Sequence, residues 1–243
     1  MAPSLEQLDV RADLNRFSEG NFYAWRTESG EWTAPVFPKL KVLQLLGNSG
    51  PSSYIEMSLF PALEHVALAG SRHVAWKVES GFSANLRFLH LDRAKLSGYD
   101  SDRHLTQLTA LTTLVVDNAD CRDFLACLSC FSSLHTLRLS NITRGLSEPY
   151  LTCPPHLATL QICRCDLPHL PSSLLKFSHL TRLDLLHWRR LHSLPPFLSA
   201  FTSLLHFKVT CDGPMPHVPP CLEEFLQGKG WYEHSPCDGS FED

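Results

Sequence analysis

A pattern of apolar places, L-x-x-L-x-L with other aliphatics or Phe allowed, recurs along almost the whole chain. It starts at Leu5 (LEQLDV), Leu40 (LKVLQL), Leu63 (LEHVAL), Leu86 (LRFLHL), Leu111 (LTTLVV) and Leu134 (LHTLRL). It continues at Leu157 (LATLQI), Leu180 (LTRLDL) and Leu204 (LLHFKV). From Leu40 onward the steps are 23, 23, 25, 23, 23, 23 and 24 residues, a register that chance hexamers would not keep. Alternation within L-x-L predicts a short strand with one buried face, and identical strands at constant spacing predict a parallel stack. Each repeat can bury its apolar places only against its neighbours, so stability is shared along the stack.

A second column supports the same register. Phe37, Phe60, Leu108, Phe131, Phe177 and Phe201 stand three residues before a repeat start, with Ser83 and Pro154 as exceptions. Phe124, Leu170 and Leu194 stand ten before, and Leu128, Leu174 and Leu198 six before. The return segments therefore carry apolar residues into the coil interior. Between Leu5 and Leu40 the step is 35 residues, so an insertion follows the first repeat. That stretch, near 15–36, holds Phe17, Phe22, Tyr23, Trp25 and Trp32 with Gly20 and Gly30, and reads as a loop packed on the first turns. Leu222 and Phe225 could open a tenth repeat, but Gln227 fills its next apolar place. The expectation is one repeat domain over residues 1–227, of nine to ten repeats, and a C-terminal cap and tail over 228–243.

Leucine makes up 42 of 243 residues, as a buried repeat requires, and no apolar run approaches the roughly 18 residues of a membrane helix. The formal net charge is −4, which argues against nucleic acid as a partner. The opening MAPSLEQLDVRADL has acids where a signal peptide would be basic and then apolar, so a cytoplasmic location is expected. Nine cysteines, an odd number scattered through a long chain, fit reduced thiols better than a disulfide scaffold.

Enzymatic motifs are scarce. No phosphate-binding loop, G-x-G-x-x-G or H-E-x-x-H occurs. Gly81-Phe82-Ser83-Ala84-Asn85 falls one glycine short of a nucleophile elbow, and Asn141-Ile142-Thr143 is a formal glycosylation sequon. Cys127-x-x-Cys130 with Cys121, and Cys163-x-Cys165 with His169, have the spacing of zinc ligands. The two pairs lie in different repeats, so the expectation is no metal, no cofactor and no enzymatic activity.

The chain resembles the leucine-rich-repeat family over residues 5–227. The resemblance implies an α/β solenoid: a horseshoe with a parallel concave sheet and a mostly irregular or short-helical convex side. It also implies an Asn or Cys eight residues after each repeat start, bonded to the turning backbone. Asn48 and Cys165 match, whereas Asp13, Ser71, Ala94, Ala119, Ile142, Trp188 and Asp212 depart from it. More narrowly, PSLEQLDVRADLNRF, FPKLKVLQLLGN, LATLQICRCDLPHLPSSLLKFSHLTRLDLLHWRRLHSLPPFLSAFTSL and CLEEFLQGKGWYEHSP resemble the C-terminal repeats of plant nucleotide-binding leucine-rich-repeat disease-resistance proteins. That resemblance implies pathogen recognition in plant defence, with a pathogen effector or host protein as partner. No Walker motif is present, so nucleotide binding does not carry over. The alternative is a substrate adaptor of a ubiquitin ligase, although residues 1–39 do not look like an F-box segment.

Strand geometry marks one surface. The third, fifth and seventh places of each repeat point away from the buried face. The fifth places read Asp9, Gln44, Ala67, His90, Val115, Arg138, Gln161, Asp184 and Lys208, with Phe88, Asp92, Asp117, Arg182 and His206 beside them. His90, Arg138, Gln161, Arg182, Asp184, His206 and Lys208 are the expected protein-binding residues, with Arg138 and Arg182 as anchors.

Overall fold

The computed structural model describes residues 6–11, 38–46, 53–56, 60–69, 74–77, 85–93, 108–118, 125–142, 146, 152–227 and 229. Along them run β1 (Gln7–Arg11), β2 (Val42–Leu46), β3 (Ser53–Glu56), β4 (His65–Ala69), β5 (Val74–Lys77) and β6 (Phe88–Asp92). Then follow β7 (Thr113–Asp117), β8 (Thr136–Ser140), β9 (Thr159–Cys163), β10 (Arg182–Trp188), β11 (His206–Cys211) and a helix, α1 (Pro220–Gln227). Nine of the strands form one sheet in the order β1-β2-β4-β6-β7-β8-β9-β10-β11, all parallel. The register follows the repeat place for place: Asp9 pairs with Gln44, Gln44 with Ala67, and Ala67 with His90. The long first step leaves that register intact, since β1 still lies beside β2. The aromatic residues of the insertion lie outside the described residues.

Burial obeys the same places. From the repeat at Leu63 to that at Leu204, every first, fourth and sixth residue is at most 3% exposed. Each buried Leu is worth about 1.5–3 kcal/mol against exposure. A described phenylalanine three before the start closes a tight turn: Leu63 N–H donates to Phe60 C=O, Leu134 to Phe131, Leu180 to Phe177 and Leu204 to Phe201, at 3.0–3.2 Å. Those phenylalanines are at most 2% exposed, so one residue both shapes the turn and fills the coil.

Among the described residues the return segments of the later repeats carry short 3-10 turns at Leu128–Cys130, Ser172–Phe177 and Pro196–Ala200. Pro171 and Pro195 introduce the last two with extended backbone, and Leu174 and Leu198 donate back to their carbonyls at 3.1 Å. A proline preset near φ −65° starts such a turn at little cost. Leu128, Leu174 and Leu198 are the buried residues beneath. This is a parallel-strand solenoid built on the L-x-x-L-x-L repeat.

Three departures from the sequence pattern are instructive. Leu222 and Phe225 do not open a tenth strand. They lie on α1, where Leu222 and Leu226, four apart on one helical face, are buried and the helix packs on the 196–200 turn. A second, two-stranded parallel sheet joins β3 to β5 on successive return segments. Finally, the slot eight residues after the start takes other residues than Asn. Trp188 fills it completely buried, its indole N–H donating to Ile162 C=O at 3.1 Å, so a tryptophan supplies the donor an asparagine would. In the last repeat the register shifts after Leu185, which sets Cys211 opposite Trp188; Cys211 is buried and Asp212 is exposed.

Candidate functional site: the open face of the sheet

Third, fifth and seventh places carry the side chains of the sheet's open face. Pairing sets His90, Val115, Arg138, Gln161, Asp184 and Lys208 in one row. Arg182 and His206 pair in the third-place row, and Asp117, Ser140, Cys163 and Leu186 run along the seventh. The sequence-predicted residues therefore do share one surface, His90 on β6 through Lys208 on β11.

Strands β6 to β9 stop at the seventh place, where the open face ends. Arg93, Asn118, Asn141, Arg164 and His187 follow the seventh place of five successive repeats with φ between 51° and 57°. This left-handed residue turns the chain off the sheet after β6 to β9, whereas β10 continues through His187 to Trp188. Neighbouring turns are laced together: Asn118 N–H donates to Ser140 C=O and Asn141 N–H to Cys163 C=O, both at 2.9 Å. Asn118 also gives its side-chain amide to Asp92 at 2.7 Å and receives that of Asn141. The sequon asparagine thus serves a ladder of turns.

Two carboxylates organise the face. His90 Nε2 lies 2.9 Å from Asp117 Oδ2. Burial would raise the Asp117 carboxyl. The His90 hydrogen bond and charge, the Arg138 guanidinium and the Ser140 hydroxyl outweigh it and hold the carboxyl below its usual range. Asp184 departs from the expectation of a solvent-facing contact: it is 1% exposed. Gln161 Nε2 and Arg182 Nε both donate to its Oδ2, at 2.9 and 2.8 Å, and these longer side chains roof it over. Among the described residues neither its Oδ1 nor Asp117 Oδ1 has a donor. A buried carboxylate needs such neighbours, because an unpaired one costs several kcal/mol. Asp184 therefore positions Arg182 and Gln161, while Arg138, half-exposed Arg182, His206 and Lys208 reach the surface.

Ser140 and Cys163 were absent from the sequence-derived set, although the alternation rule places them on this face at the seventh position. Both are buried in its floor, between Asp117 and Leu186. Burial pushes the Cys163 thiol up, with Arg138 pulling the other way.

The zinc-like cysteine spacings resolve into different places. Cys127 and Cys130 bracket Leu128 on the convex turn, whereas Cys165 sits in the coil slot, 1% exposed, and Cys163 on the open face. Among the described residues no three His, Cys, Asp or Glu side chains gather as a metal site would require. Nor is any described helix long and apolar enough to cross a membrane.

No protein-family model and no curated protein matches the chain in sequence. Among solved structures it is similar to internalin C2 of Listeria monocytogenes, with 17% identity and a TM-score of 0.42, over 74% of this chain and 75% of that one. The fold assignment stands on the register of the nine strands, independently of that likeness.

Proposed function

We propose that this solenoid is a non-enzymatic protein-recognition module whose open sheet face grips a protein partner. The observation that carries the reading is the row from His90 to Lys208, in which successive strands present register-matched polar side chains on a rigid support. A preordered surface lowers the ordering cost of docking. His90 with Asp117 makes a His–Asp pair on this face, and the residue beside His90 along its row is Val115, neither a hydroxyl nor a thiol.

The finer reading rests on the sequence resemblance alone. It makes the chain the ligand-sensing repeat region of a plant disease-resistance protein, acting in the cytoplasm on a pathogen effector or host protein. All seven cysteines among the described residues are free thiols, which fits a reducing compartment. Affinity capture with the intact chain, followed by identification of the bound proteins, tests it. Recovery of an effector or its host target supports the defence reading; recovery of ubiquitin-ligase subunits replaces it with the adaptor reading.

A further inference from the structure

The charges of the open face are sorted along the stack. In the third, fifth and seventh places of β2, β4, β6 and β7 there are two carboxylates, Asp92 and Asp117, and no Lys or Arg. In the same places of β8 to β11 stand Arg138, Arg182 and Lys208 against Asp184 alone, which leaves two net positive charges. Depth sharpens the contrast. Asp184 is 1% exposed under its donors, whereas the Arg182 side chain is 45% exposed and Arg138 is exposed. Arg182 spends its Nε on Asp184. A guanidinium has further donors beyond that one, so a partner can still be bound by an arginine already fixed in place. Lys208 is in no ion pair among the described residues, and Arg138 makes none either, although its charge acts on the Asp117 carboxylate.

We propose that the β8–β11 part of the open face docks an acidic, extended segment of a partner protein, its carboxylates meeting Arg182 and the flanking Arg138 and Lys208. The proposal rests on the open-face reading above and adds the chemistry of the occupant. Arg138 and Lys208 stand three strand spacings apart in one row, on the order of 14 Å, which an extended peptide spans in about four residues. Two acids about four positions apart would therefore reach both. Single-stranded nucleic acid fits less well, because these rows of β8 to β11 hold no Phe, Tyr or Trp on which bases could stack.

The test is selection of a displayed library of random linear peptides on the purified full chain, followed by fluorescence polarisation of the enriched peptides. The variants are Lys208→Glu, Arg138→Glu and Thr159→Trp, each first shown to melt like the parent. Lys208 and Arg138 are chosen because neither is the donor to buried Asp184. Thr159→Trp adds bulk at a half-buried place in the middle of the patch without changing charge. The expected result is enrichment of Asp and Glu, about tenfold or greater weakening by either charge reversal, and recovery on Lys208→Glu when one peptide acid becomes Lys. Neutral or basic peptides that Thr159→Trp still excludes would overturn the acidic occupant and leave the open-face reading standing. Peptides indifferent to all three variants would overturn both. Failure to enrich any peptide, or tighter binding of a single-stranded DNA probe than of any peptide, would overturn the acidic-segment proposal.

Discussion

Leu204 and Leu205 are adjacent, chemically identical and assigned opposite fates. Leu204 is the first place of the last repeat and 0% exposed, whereas Leu205 is the second place and 71% exposed. Leu204 packs in the coil with Phe201, Phe207 and Leu180 among the residues of the same core. Truncating it to Ala removes buried methyls and leaves a cavity, at a cost of about 2–5 kcal/mol. Truncating Leu205 removes side chain already in water, so the change should stay within about 0.5 kcal/mol. At roughly 2–4 °C per kcal/mol for a chain of this size, Leu204→Ala should lower the melting temperature by about 4–20 °C and Leu205→Ala by at most about 2 °C. Urea unfolding followed by far-ultraviolet circular dichroism gives the free energies. Tryptophan fluorescence adds a local readout, because Trp188 is fully buried in the preceding repeat. A slip of the strand by one residue would exchange the two fates. Equal costs, or a larger cost for Leu205→Ala, would refute the register from which the open face is read.

Trp188→Phe should cost about 1–3 kcal/mol for the lost donor to Ile162 C=O, beyond any change in packing, measured by the same urea titration. Asp117 is held below its ordinary range, so its contribution to stability is present above that range and fades as pH falls through the lowered value. The stability gap between the parent and Asp117→Asn should accordingly be widest near neutrality and close on acidification below about pH 4, as urea midpoints across pH would show. Burial raises the thiols of Cys163, Cys165 and Cys211, so a maleimide should label exposed Cys221 well ahead of them in time-resolved mass spectrometry.

The strand register was legible because one rule, a buried residue at places one, four and six, is repeated often enough to fix phase without any long-range information. The neighbours on the open face followed from it: once Arg138 and Gln161 share a place, stacking sets them side by side. Depth on that face was not legible. Alternation says that Asp184 points away from the coil, but its burial depends on whether longer side chains on the same and the adjacent strand fold over it, as Arg182 and Gln161 do. The mixed signs of the fifth-place column concealed the sorting of charge for a related reason, since the third and seventh places must be counted with it. The slot after the strand was misleading where shape can replace sequence. Trp188 supplies its N–H from an indole where asparagine would use an amide, and a shifted strand substitutes Cys211 for Asp212. The end of the stack was ambiguous because Leu222 and Phe225 fit a strand start, while Leu222 and Leu226 fit a helix face equally well. The helix is what covers the last turn.

The claim that the open face is the recognition surface is tested most directly by the affinity of one captured protein partner for four proteins: the parent, Arg138→Ala, Arg182→Ala and Lys176→Ala. Lys176 lies exposed on the convex turn Ser172–Phe177 and serves as the comparison. Loss of about tenfold or more with each arginine change, with the Lys176→Ala affinity close to that of the parent, is the predicted result. Abolition by Lys176→Ala with both arginine variants binding as tightly as the parent would contradict it.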